Sequence, residues 1–153
     1  MKYFKISDFY EDKNAERMNI NNKPDEKFIV NIMELTHDLL EPLWGAWGAF
    51  CKKNNLGNPN WKIIAGYRCD YLNKFYEGKK SSPHLKGFAI DFKLSNNEYS
   101  IFHSFAGPWL RDNGIKFDEI IWDFYRNYIH LSIKNNEGKQ RSHIKKIKWY
   151  EKE

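Results

Sequence analysis

Cysteine is scarce in this chain: Cys51 and Cys69 are the only two, and neither belongs to a C-x-x-C pair. That excludes a disulfide-dense scaffold and a thiolate zinc knuckle, so both read as buried thiols ahead of any nucleophile. No apolar run approaches the roughly 20 residues that a membrane-spanning helix needs. The opening MKYFKISDFYEDKN carries acidic residues where a secretory signal has its apolar stretch, so no signal peptide is expected. Internal repeats and low-complexity linkers are missing as well. A single domain over residues 1–150 is the simplest organisation. No nucleic-acid-binding motif accompanies the basic patches.

What the chain does have is aromatic residues, 17% of the total, with six Trp, nine Tyr and eleven Phe. They predict a packed core despite a mean hydropathy of -0.78. The net charge of +5 draws the protein toward nucleic acid, anionic lipid or an acidic polymer such as bacterial cell wall. Lys79 and Lys80, and the run Lys145, Lys146 and Lys148, are the densest patches. Each read alone is a solvated face.

Coarse periodicity outlines the fold. A short extended piece, a polar helix and a turn at Asn21–Pro24 open the chain, with Pro24 and Asp25 at a helix start. Ile29, Ile32, Met33, Leu35, Leu39 and Leu40 recur at helical spacing within a helix from Phe28 to about Phe50. WKIIAGYR is strand-like up to Gly66, residues 70–77 suit a short helix, and Glu77–Pro83 a loop. The strand FAIDFKL follows, then a helix over about 97–112 closed by Asn113 and Gly114. FDEIIWDF and NYIHLSI form a hairpin around Tyr125 and Arg126, and the tail IKKIKWYEKE reads as an edge strand or a frayed end.

One stretch carries chemistry: SSPHLKGFAIDF, with Ser82, His84, Gly87, Ala89 and Asp91 in the pattern S-x-H-x-x-G-x-A-x-D. A neutral imidazole nitrogen and a carboxylate oxygen both suit Zn²⁺, and the small residues let the chain turn from the histidine into the strand bearing Asp91. A third ligand is available at His130. Alternation sets Tyr128, His130 and Ser132 on one strand face and Ile129, Leu131 and Ile133 on the other. Two His and one Asp leave a fourth position open, the pattern of a catalytic zinc. His37, His103 and His143 lack motif partners and read as surface histidines; Asn73 and Trp122 read as structural.

With these residues in view, the chain resembles the zinc D-alanyl-D-alanine carboxypeptidase and L-alanyl-D-glutamate endopeptidase family of the Hedgehog/DD-peptidase fold. The resemblance runs through ELTHDLLEPLW, IIAGYRCDYLN, SSPHLKGFAIDF and FDEIIWDFYRNYIHLSI, in the family's order. It implies an α+β fold with a central, mainly antiparallel sheet and helices packed on one side. It also implies a Zn²⁺ cofactor held by His84, Asp91 and His130. Arg68 becomes the cation that holds a substrate carboxylate or carbonyl, its planar fork suited to that task. Ser82 supports the metal loop and contacts substrate; its plainer reading is a capping serine.

The general base departs from the family pattern. Members often carry a glutamate three residues before the last histidine, where this chain has Asn127. Others place an acid at the end of the preceding strand, and IIWDF puts Asp123 there, with Glu119 of the same parity as a fallback. The implied activity is hydrolysis of a peptide bond in peptidoglycan stem peptides by a monomeric metallopeptidase. Such compact members resemble bacteriophage endolysins or virion-associated wall hydrolases, found in the host cytoplasm during infection or in the particle. The rival expectation is a non-catalytic zinc module that binds wall peptides or builds a virion. A basic nucleic-acid binder ranks behind both.

Overall fold

The computed structural model describes residues 1–94 and 98–148. The expected start of the fifth helix at 97, the tail beyond 148 and the last two positions of the 1–150 domain lie outside the described residues. A 3-10 turn at Ile6–Phe9 leads to α1 (Lys13–Arg17), whose first turn is capped by Asp12 through the Ala15 amide. The long helical region comprises α2 (Glu26–Leu35), a π-helical segment Thr36–Leu40, and α3 (Glu41–Lys53). The expected helix is therefore present and longer, with one irregularity. Pro42 explains it, because proline has no N–H to donate and its ring crowds the carbonyl four residues back. The widened turn just before Pro42 absorbs both effects.

Strand β1 (Trp61–Ala65), α4 (Asp70–Phe75), a 3-10 turn (Pro83–Lys86) and β2 (Ala89–Leu94) follow. Then come α5 (Glu98–Asp112), β3 (Glu119–Asp123), β4 (Tyr128–Ser132) and β5 (His143–Ile147). The five strands form one sheet in the order β1-β2-β4-β3-β5. Every pairing is antiparallel except β5 with β3, which is parallel. The architecture is α+β with a mainly antiparallel sheet, as expected, and the tail does supply an edge strand.

Period-2 alternation divides the sheet into two faces with different chemistry. Ile90, Phe92, Ile120, Trp122, Ile129 and Leu131 point to the core, all at most 1% exposed. Against them sit Leu35, Leu39, Leu43 and Trp47 of the long helix and Phe102 and Ala106 of α5. Ring contacts join the layers: Trp47 meets Phe102 at 5.0 Å, and Trp61 of β1 stacks on Phe92 at 4.1 Å. Full burial of each large aliphatic side chain contributes about 1.5–3 kcal/mol. The opposite face carries Asp91, Lys93, Glu119, Ile121, Tyr128, His130 and Ser132. Apolar burial on one side thus sets the register that aligns the polar groups on the other.

Two backbone features shape the polar face. A bulge between Ile63 and Ala65 brings the small Ala65 opposite Asp91 and turns the chain toward Arg68. Gly66 follows, passing so close to the Phe9 backbone that an added Cβ would lie 2.8 Å from the Phe9 Cα. Asn22 ties the same region together: its Nδ2 donates to the Tyr10 and Tyr67 carbonyls, and its Oδ1 accepts from the Cys69 amide at 2.8 Å. Gly66→Ala is expected to lower unfolding free energy by about 1–3 kcal/mol through overpacking. Gly48→Ala inside α3, where a Cβ meets Pro59 at an ordinary 3.7 Å, should be neutral or stabilising by up to about 1 kcal/mol. Urea unfolding of both variants checks the contrast.

Candidate metal centre and cleft

His84, Asp91 and His130 arrive from three elements and meet at one point. His84 sits in the 3-10 turn, whose start is capped by Ser82 accepting from the His84 amide at 3.4 Å. Gly87 ends that turn at φ +74°, where a side chain would press within 2.9 Å of the Phe28 carbonyl. The chain then enters β2, and the register of β2 with β4 sets Asp91 directly opposite His130. All three are buried, and their ligand atoms lie within 4.8 Å of one another.

The separations and hydrogen bonds fit a cation. Asp91 Oδ1 stands 2.7 Å from His130 Nδ1 and 3.2 Å from His84 Nε2. Two ligands on one tetrahedral ion with bonds of about 2.0–2.1 Å would be roughly 3.3 Å apart. His84 Nδ1 lies 2.6 Å from the Gly66 carbonyl, which can only accept, so Nδ1 carries the proton. The neutral ring therefore aims its Nε2 lone pair at a carboxylate oxygen, a repulsive contact unless a positive species lies between them. Burial pushes the His84 pKa down despite Asp91, which disfavours a proton in that role. Burial would raise the Asp91 pKa, but the two imidazoles hold it well below the usual carboxylate range. The trio could thus hold a metal ion, and the carbonyl behind His84 is the outer-shell partner such a ligand requires.

Arg68 borders the trio. Its Nη2 donates to Asp91 Oδ2 at 3.2 Å, its guanidinium lies 5.0 Å from the Tyr76 ring, and its Nε is buried without a partner. Tyr76 is itself anchored, donating to Asp12 and accepting from Asn14 at 2.9 Å. Ser82 lines the same cleft, so its capping role and its place beside the metal site coexist. The cleft encloses about 740 Å³.

The acids of β3 separate. Glu119 lines the cleft and pairs with Lys145 at 2.7 Å. Asp123, expected at the site, is fully buried at the hairpin end. Its Oδ1 accepts the Arg126 amide at 2.7 Å, its Oδ2 has no partner, and it does not line the cleft. Shared parity puts both acids on one face, but the turn folds over Asp123. Asn127 takes φ +55° in that turn, a left-handed position that favours asparagine.

Some residues were illegible in the chain. Asp118 is buried and takes a two-pronged bond from Arg141, Nε to Oδ1 at 2.7 Å and Nη2 to Oδ2 at 2.8 Å. Ser132 donates to the same carboxylate. The pair spans 23 residues with no motif to announce it. His103, expected at the surface, instead packs 4.7 Å from Trp122. His37 and His143 are exposed, as expected; Cys51 is buried, Cys69 half-buried, and both are free thiols.

Fold and site together define the class: an α+β domain with a buried His-Asp-His trio, able to hold a metal, at the base of an open cleft. Compared with protein-family models and with curated proteins, the chain matches none. No described helix is long and apolar enough to cross a membrane.

Two measurements follow. Zinc titrated into metal-free protein should bind one per chain, and at 100 times the dissociation constant should stabilise the fold by about 2.7 kcal/mol. His84→Ala should abolish both effects. For Asp118, burial raises the pKa but Arg141 outweighs it and the net shift is downward. Its stability contribution is therefore present above the unfolded pKa near 3.9 and lost as pH falls through the folded value. Acid unfolding of Asp118→Asn should lack that part of the decline.

Proposed function

We propose that the protein is a zinc-dependent peptidase acting on peptidoglycan stem peptides, of the zinc carboxypeptidase and endopeptidase family that its motifs resemble. The observation that carries the reading is the convergence of His84 Nε2, Asp91 Oδ1 and His130 Nδ1 beside a buried Arg68 donor without a partner. Two nitrogens and one oxygen suit Zn²⁺ among divalent ions. Bound there, zinc would supply Lewis acidity toward a carbonyl oxygen and toward a water proton, the chemistry that amide hydrolysis needs.

The chain's own groups supply the rest. Arg68 donates through its unpartnered Nε to a substrate acceptor, with Tyr76 and Asp91 fixing its plane. The Gly66 carbonyl holds His84 in one tautomer. Water adds to the scissile carbonyl carbon, an acid takes its proton, and the same acid returns it to the nitrogen as the C–N bond breaks. Glu119 is the better placed acid, because it lines the cleft whereas Asp123 is engaged in the hairpin turn. The +5 net charge favours approach to an anionic wall. A bacteriophage endolysin or virion-associated hydrolase is the setting that the compact chain suits.

A second reading, a zinc-holding module that binds wall peptides without cutting them, is favoured by one feature: Glu119 is tied to Lys145 at 2.7 Å. Release of new amino groups from purified peptidoglycan decides between them. Zinc-loaded protein should release them and chelator should stop it. Glu119→Gln should reduce release by at least about 10²-fold with zinc still bound, and Asp123→Asn by less. The opposite order would pass the proton to Asp123. No release despite one bound zinc per chain would leave the module. Mass spectrometry of the muropeptides identifies the bond.

A further inference from the structure

Six cationic side chains line the cleft: Arg68, Lys79, Lys93, Arg126, Arg141 and Lys145. Three are already neutralised, Arg68 by Asp91 at 3.2 Å, Arg141 by Asp118 at 2.7 Å and Lys145 by Glu119 at 2.7 Å. Among the described residues, no carboxylate stands within ion-pair distance of the other three. Two of these stand at one end of the cleft. Asp91 pairs with His130 and Phe92 with Ile129, so the next step of the ladder sets Lys93 beside Tyr128 on the cleft face. Arg126, at the end of the hairpin, brings its guanidinium to the Tyr128 hydroxyl. Asp123 positions that arginine by accepting its backbone N–H at 2.7 Å.

The cluster is electrostatically incomplete. On its other side, Lys93 faces Lys62 across the β1–β2 ladder, and like charges directly opposed on a sheet destabilise it. An anion bound among Lys93, Arg126 and the phenol would relieve that repulsion. The guanidinium supplies a planar fork suited to a carboxylate, and the phenol a neutral donor. Two residues along a strand separate this cluster from the Asp91–His130 pair, roughly 7 Å. That is a distance an extended peptide bridges between a bond and a carboxylate on the neighbouring residue.

We infer that Lys93, Arg126 and the Tyr128 hydroxyl form a carboxylate-binding subsite, and that the peptide held in the cleft carries a carboxylate on the residue next to the bond at the trio. The position of the bond rests on the peptidase reading; the binding of the carboxylate does not. Arg126 is thereby a specificity residue, distinct from Arg68, whose charge is already engaged by Asp91.

Two stem peptides of one sequence test this, one with the carboxylate free and one with it converted to the carboxamide. Calorimetry on zinc-loaded protein reads binding, and mass spectrometry reads cleavage. The native protein should bind the carboxylate form on the order of tenfold more tightly, as a charge-assisted fork allows. Arg126→Gln and Lys93→Gln should each remove most of that preference, and Arg126→Lys should retain part of it, with melting temperatures unchanged. Equal affinity of the native protein for both peptides overturns the subsite, as does a preference that survives in both glutamine variants or a failure to bind either peptide. A binding preference without cleavage keeps the subsite and removes the peptidase. Equal cleavage and equal binding of both keep the peptidase and remove the subsite.

Discussion

The Asp91 carboxylate is the group around which this structure is organised. One of its oxygens is shared by two imidazole nitrogens, and the other accepts from Arg68. A buried anion is costly unless positive charge and hydrogen bonds surround it. Meeting that demand brings three segments to one place: the strand following Gly87, the turn bearing His84 and the strand bearing His130. The bulge in β1 leaves room for the carboxylate by facing it with Ala65. The near contact of Gly66 with Phe9 lets the carbonyl behind His84 take its position. A metal in the trio is the natural counterpart of this arrangement, because the neutral His84 lone pair and the carboxylate oxygen otherwise repel one another.

The polar face is specific because the other face is apolar. Ile90, Phe92, Ile129 and Leu131 are locked under the helices, and a slip of one residue would turn each of them to solvent. The same register then decides which charges meet on the cleft side. Glu119 finds Lys145 and Asp118 finds Arg141, while Lys93 and Arg126 are left around Tyr128. The cleft therefore combines satisfied ion pairs at one end with uncompensated cations at the other. An asymmetry of that kind orients an anionic ligand as well as attracting it.

Legibility in the sequence followed the range of the interactions. Ser82 to Asp91 is a local unit: a capped turn, a glycine in left-handed conformation and the first residues of a strand, all within ten positions. His130 needed only the two-residue period of a strand with an aliphatic reverse face. Arg68 was legible through its neighbours in IIAGYRCDYLN. Asp123 was not, because parity names a face but is silent about a turn folding over its end. There the Arg126 amide takes the carboxylate and Asn127 takes φ +55°. Pro42 is visible in the sequence, yet the π segment before it depends on packing that keeps the helix continuous through the proline.

The sequence by itself determined the α+β class, the two-faced strands and the donor set His84, Asp91 and His130, because each follows from short-range pattern and side-chain chemistry. Only the tertiary structure decided which charges are neutralised, since Asp118 and Arg141, Glu119 and Lys145, and Arg68 and Asp91 pair across 23, 26 and 23 residues. It also decided that the last strand runs parallel to β3, and that Glu119 and not Asp123 lines the cleft. These are contacts between segments distant in the chain. Their partners are selected by the shared packing of the core, which no local pattern encodes.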